Sequence, residues 1–136
     1  MAKETHEQVR RKETNYRGKS LEELKELDVR EVAKYLPARS RRSLMRKFDV
    51  IEKFIKRCDK KIARNKKIKT HLREIVIVPK LVGMTIGVYN GKSFQEIPIT
   101  VEMIGHRLGE FALTRSKVNH GSAGIGSTKS SRALKK

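Results

Sequence analysis

The sequence predicts an α+β fold: a small antiparallel β-sheet packed with helices, an N-terminal helical extension, and a basic, flexible C-terminal tail. Three observations carry this. An apolar stripe at helical spacing runs through residues 44–62, a β-branched and hairpin-like pattern fills 74–100, and basic segments flank the neutral stretch 74–115. With 136 residues, the chain suits one compact domain plus extensions.

Four segments follow in order. Residues 1–19 are polar, without a sustained apolar period, and are expected to be disordered in the free protein. Residues 20–36 form the helical extension. Ser20 and Glu23 match a capping box ahead of Leu21, Leu24 and Leu27. Asp28 and Glu31 repeat that signal before Val29, Val32, Ala33 and Leu36, and Pro37 ends the helix. Residues 37–115 are the core domain. Its first helix carries Leu44, Phe48, Ile51, Ile55, Cys58 and Ile62 on one face, so the many Lys and Arg between them face outward. Cys58 lies on that stripe and reads as a small core residue, not a nucleophile.

Beyond Lys69 the period changes. Residues 74–78 read as a buried strand ending at Pro79. Residues 85–89, Asn90-Gly91 and 92–100 read as a hairpin with a tight two-residue turn. The apolar phase slips between Phe94 and Ile97, which predicts a bulge, and Pro98 places its strand at an edge. Thr100 caps an expected helix over 101–108, with Gly109 just past its end. Residues 116–136 are a Gly/Ser-rich basic tail, also expected to be disordered in isolation.

Charge points to the partner. Lys and Arg number 33 against 15 Asp and Glu, a net charge of +18. Residues 1–36 carry +1, residues 37–73 carry +12, residues 74–115 are neutral, and residues 116–136 hold five basic side chains and no acidic one. A solvated charged face would mix the signs; a phosphate-binding surface concentrates one of them. A membrane partner is disfavoured, because the longest apolar run, 75–78, is far short of the ~20 residues a spanning helix needs. The N-terminus lacks an apolar signal region, and Cys58 has no second cysteine to pair with, so a soluble cytosolic protein is expected.

No catalytic constellation emerges. The glycine-rich stretch 121–129 resembles a phosphate-binding loop, but Lys129 comes three positions after Gly126 where the motif needs Lys directly after it, and neither a buried strand nor an amphipathic helix flanks it. His6, His71, His106 and His120 lack paired ligand spacing, so no metal is expected. His106 and Glu110 lie one helical turn apart without a nucleophile or third ligand. No cofactor is implied. The readings open from the residues are an RNA-binding structural protein, a general RNA chaperone or DNA-binding protein, and a nucleotide-dependent enzyme. The last is disfavoured.

Residues 69–74 (KTHLRE), 88–92 (VYNGK) and 102–111 (EMIGHRLGEF), followed by Thr114-Arg115, resemble the small-subunit ribosomal protein S-nineteen family, whose eukaryotic counterpart is called S-fifteen. The resemblance covers 37–136. The helical segment before Pro37 and the tail KVNHGSAGIGSTKSSR look like the archaeal and eukaryotic branch, while Phe94, Glu96 and Pro98 depart from the bacterial pattern. The resemblance implies a structural role in the head of the small ribosomal subunit. It implies binding to the 3′ major domain of the small-subunit ribosomal RNA, beside the S-thirteen protein. It also implies a tail directed to the decoding site, where a tRNA is a possible neighbour. Matched by position, Lys69, Arg73, Lys92, His106, Arg107, Thr114 and Arg115 become RNA-contact candidates; for His106 a packing role stands equally open. Charge adds Arg39, Arg41, Arg42, Lys60, Lys61, Arg64, Lys66 and Lys67 from the core, and Lys117, His120, Lys129 and Arg132 from the tail.

Overall fold

A computed structural model describes residues 15–117. The expectations for 1–14, for the tail beyond Lys117 and for the glycine-rich stretch 121–129 lie outside the described residues. Within the segment read as flexible, Tyr16 and Lys19 pair across a short turn, and Tyr16 packs against the core.

The helical extension forms α1 (Leu21–Glu26) and α2 (Val29–Val32), the latter continuing as a 3₁₀ turn over Ala33–Tyr35. Ser20 Oγ accepts from the Glu23 N–H at 3.3 Å, and the Glu31 carboxylate accepts from the Asp28 N–H at 3.4 Å. Leu24, Val29, Val32, Ala33 and Leu36 are buried, so the extension is part of the core and not an appendage. α1 packs on the 3₁₀ turn Pro79–Leu81, and α2 packs on α4.

The basic block divides into two helices, α3 (Ala38–Arg46) and α4 (Phe48–Ala63). The break is at Lys47, with φ −117° and ψ 26°. The apolar stripe crosses it: Leu44, Ile51, Ile55 and Cys58 are buried and Phe48 is half-buried. Two details differ from the sequence reading. Ile62, assigned to the stripe, is 46 % exposed, whereas Phe54, outside it, is 3 % exposed. An α-helical face wider than a strict 3–4 repeat explains Phe54. Ile62 falls in the last turn, where the chain is leaving the core.

The sheet has three strands in the order β1 (Ile68–Thr70), β2 (Thr85–Tyr89), β3 (Phe94–Pro98). β2 and β3 form the expected antiparallel hairpin, while β1 joins β2 in parallel. Ile86, Val88 and Ile97 bury one face, Ile68 and Thr70 continue it on β1, and α4 packs against β1.

Four local expectations are corrected. Residues 75–78 are buried and extended, yet they do not join the sheet: the Ile77 N–H donates to His106 O at 2.8 Å, and the Gly105 and Leu108 N–H groups donate to Ile77 O and Ile75 O. That pairing also prevents the helix read over 101–108. Gly105 sits at φ +87°, and two 3₁₀ turns, Val101–Met103 and Leu108–Phe111, replace the helix. No bulge interrupts β3, which pairs continuously from Phe94 to Pro98. The phase slip arises because Phe94 belongs to the outer face of the sheet. The hairpin loop holds four residues, not two: the Asn90 N–H donates to Ser93 O at 3.0 Å, and Asn90 Oδ1 accepts from the Lys92 and Ser93 N–H groups. Within this loop Gly91 alone has positive φ, +100°. Pro98 ends an edge strand as expected, since β3 is the last strand in the sheet.

Candidate nucleic-acid interface

The C-terminal end of α4 gathers the densest charge. The helix ends in a Schellman motif. Asn65 takes the left-handed conformation (φ +50°), its N–H donates to Ile62 O at 2.9 Å, and the Lys66 N–H donates to Lys61 O at 2.9 Å. This turn places Lys60, Lys61, Arg64, Lys66 and Lys67 around one helix end, where the negative end of the macrodipole favours cations. All but the half-buried Lys61 are exposed. Lys67 is bound to Glu96 at 2.7 Å. Their hydrogen bond, and secondarily their charge attraction, raises the lysine's pKa and lowers the glutamate's. The other four have no carboxylate partner among the described residues. An open cleft of about 510 Å³ lies beside them, between Asn65, Lys66 and Lys67 on one side and Met84, Thr85 and Glu96 on the other.

The remaining candidates separate by what their side chains touch. On α3, Arg39 and Arg42 are exposed without an ion pair among the described residues. Arg41 is exposed as well, but its donors are occupied: its guanidinium donates to the carbonyls of Ala33 (3.0 Å), Lys34 (3.2 Å) and Leu36 (3.3 Å), closing the C-terminal end of the helical extension. Arg73 is more strongly committed. It donates to Tyr89 O (2.5 Å), Gly109 O (2.8 Å) and Ala112 O (2.6 Å), so one half-buried guanidinium ties the hairpin to the segment after Leu108. Gly109 permits this approach, because a Cβ there would stand 3.0 Å from both the Cβ and the carbonyl oxygen of Arg73.

Arg107 is half-buried and reaches Ser43 Oγ on α3 at 3.2 Å. His106 is exposed; its Nδ1 lies 2.7 Å from the Glu110 carboxylate, and its ring meets Phe111 edge-on. Glu110 also accepts from the Arg107 N–H, so the His106–Glu110 spacing organises a 3₁₀ turn. Lys92 is exposed on the hairpin loop, and Thr114, Arg115 and Lys117 are exposed where the chain leaves the core. His120, Lys129 and Arg132 lie outside the described residues.

The sequence reading missed a feature of the outer sheet face. His71, just past β1, forms a triangular cluster with Tyr89 of β2 and Phe94 of β3, with ring centroids 4.6–5.2 Å apart. Lys69 Nζ lies 5.3 Å from the Phe94 centroid. Only the parallel pairing of β1 with β2 brings His71 beside Tyr89, and that pairing has no local sequence signal.

Among the described residues no group of three or more His, Cys, Asp or Glu is placed to hold a metal ion. Nor is any described helix long and apolar enough to cross a membrane. The Cys58 thiol is buried, and desolvation with help from the Asp59 charge pushes its pKa up to about 11. It is therefore a poor nucleophile at neutral pH.

The family described as "Ribosomal protein S19" matches residues 39–120. The protein named "Small ribosomal subunit protein uS19" from Halorubrum lacusprofundi is 53 % identical over 126 residues, covering 89 % of each chain. The protein of the same name from Methanocella arvoryzae is 49 % identical over 123 residues, covering 90 % of this chain and 86 % of its own. Both alignments are longer than the stretch from residue 39 to the C-terminus, so they take in the helical extension as well. The chain belongs to the ribosomal protein S19 family, in its archaeal and eukaryotic form.

Proposed function

We infer that this protein is a structural constituent of the small ribosomal subunit, binding small-subunit ribosomal RNA in the subunit head, with no catalytic activity of its own. Its place of work is then the cytoplasm. One observation carries the RNA-binding part most directly. Lys60, Arg64 and Lys66 stand together on a capped helix end, exposed and without carboxylate partners among the described residues, beside a core that is well packed. Unneutralised cations held that close repel one another, and RNA phosphates relieve the repulsion.

The finer assignment is that the core docks on the 3′ major domain beside the S-thirteen protein and that the tail runs toward the decoding site, within reach of tRNA. Among the sequence candidates, Arg39, Arg42, Lys60, Arg64, Lys66, Lys69, Lys92, Arg115 and Lys117 are the best phosphate ligands, because each residue is exposed and its side chain makes no ion pair among the described residues. Arg41, Arg73 and Arg107 act as internal braces. The test compares binding of the full chain to a transcript of the 3′ major domain, an unrelated structured RNA and a DNA duplex at matched salt. The proposal expects a clear preference for the first. Equal affinities would favour a general nucleic-acid binder or chaperone.

A further inference from the structure

On the outer face of the sheet, register and side-chain chemistry combine into an unassigned surface. In parallel pairing Lys69 stands beside Gly87, which carries His71 to a place beside Tyr89; in antiparallel pairing Tyr89 stands opposite Phe94. The three rings therefore form one compact triangle on the outer face, with His71 just past the end of β1, outside the layer that packs on α4. His71–Tyr89 centroids are 4.6 Å apart, His71–Phe94 5.1 Å, and Tyr89–Phe94 5.2 Å. The Tyr89 hydroxyl donates to Gly91 O at 2.9 Å, which fixes that ring against the hairpin loop. Gly87 lies between Lys69 and Phe94: a Cβ there would make ordinary contact with Lys69 Cγ (3.5 Å) and Phe94 Cβ (3.6 Å), and its tight neighbour would be Ile68 O at 3.2 Å.

A cross-strand aromatic pair alone would stabilise the hairpin. Tyr89 and Phe94, both half-buried, satisfy that role by themselves. His71 meets both rings and yet stays exposed, the one ring of the three open to a partner. The charge around the cluster is one-sided. Glu96, the carboxylate on this face, is held by Lys67, whereas Lys69 is poised over Phe94 and Lys92 rises from the adjoining loop.

We propose that this cluster is a stacking platform for an unpaired RNA base, with His71 as the ring that meets it and with Lys69 and Lys92 holding the flanking phosphates. Every nucleobase offers a π-face, and proteins that hold unpaired nucleotides combine aromatic rings with nearby cations in this way. The proposal rests on the RNA-binding role inferred above and gives that role a second, non-phosphate contact.

Its test uses the full chain and the 3′ major domain transcript, with the variants His71→Ala and His71→Tyr and a thermal melt of each to confirm folding. His71→Ala should bind at least about fivefold more weakly, the low end of what one stacked base contributes. The slope of log K against log salt should stay unchanged, because stacking releases no counterions. His71→Tyr, which keeps a ring, should recover most of the affinity. A folded His71→Ala variant with unaltered affinity would overturn the proposal, as would a loss accompanied by a flatter salt slope, since that would make His71 a phosphate ligand. If the unsubstituted chain itself shows no preference for the transcript, the RNA assignment fails first. If it shows one and His71→Ala matches it, the platform alone is wrong.

Discussion

Arg73 separates two roles that its sequence position leaves open, and Arg73→Met tells them apart. The guanidinium makes three charge-assisted hydrogen bonds, to Tyr89 O, Gly109 O and Ala112 O. Bonds to charged groups contribute roughly 1.5–3 kcal/mol each, but these three share one half-buried group, so they do not add in full. Methionine keeps much of the stem and leaves the three carbonyls without this donor. A loss of about 3 kcal/mol is expected, or roughly 10–15 °C in Tm for a folded core of this size. Arg73→Lys should regain well under half of that, because an ammonium lacks the planar fork that reaches several carbonyls at once. The assay is thermal and urea denaturation, paired with RNA binding at several salt concentrations. Both variants should melt early yet, where folded, keep the parental salt slope. A variant melting within about 2 °C of the parent, with a slope lowered by about one unit, would refute the brace and restore Arg73 as a phosphate ligand.

Two further outcomes follow from local geometry. Gly91→Val should cost about 1–3 kcal/mol, all of it backbone strain, because Gly91 is at φ +100° and a Cβ there would meet nothing within 4 Å; an unchanged melt would mean that the loop relaxes to negative φ. Cys58, buried with its thiol pKa near 11, should react with an aromatic disulfide at pH 8 only as the protein opens, so labelling should speed up steeply in urea. Fast labelling of the native protein would contradict the packing of α4.

The parts of the fold legible in the sequence are those with short-range causes. Ser20 and Glu23 mark the start of α1 because their hydrogen bond spans one turn, and Leu44 through Cys58 reveal a buried helical face because the period is local. Residues 75–78 announce burial through β-branched side chains, but not their partner: the backbone of 105–108, some thirty positions away, supplies it. The same long-range pairing replaced the expected helix over 101–108 with two 3₁₀ turns around Gly105. At the site, sequence charge located the basic block, but an arginine aimed at RNA and one aimed at a carbonyl read alike. Arg39 and Arg41 stand two residues apart, and only the fold turns one outward and the other onto the carbonyls of Ala33, Lys34 and Leu36. The aromatic cluster was illegible for a related reason, since His71 meets Tyr89 through a parallel pairing that no local pattern specifies.

The central claim is that the unpaired cations at the end of α4 hold ribosomal RNA by its phosphates. The most direct measurement is the salt dependence of binding for a variant carrying Lys60→Gln, Arg64→Gln and Lys66→Gln, three exposed side chains without ion pairs among the described residues. Each exposed change should alter stability by no more than about 0.5 kcal/mol, so the fold should persist. If all three contact phosphate, affinity should fall and the slope of log K against log salt should flatten by roughly two to three units. A folded variant that binds the 3′ major domain transcript with the parental affinity and slope would contradict the claim and place the RNA surface elsewhere on the chain.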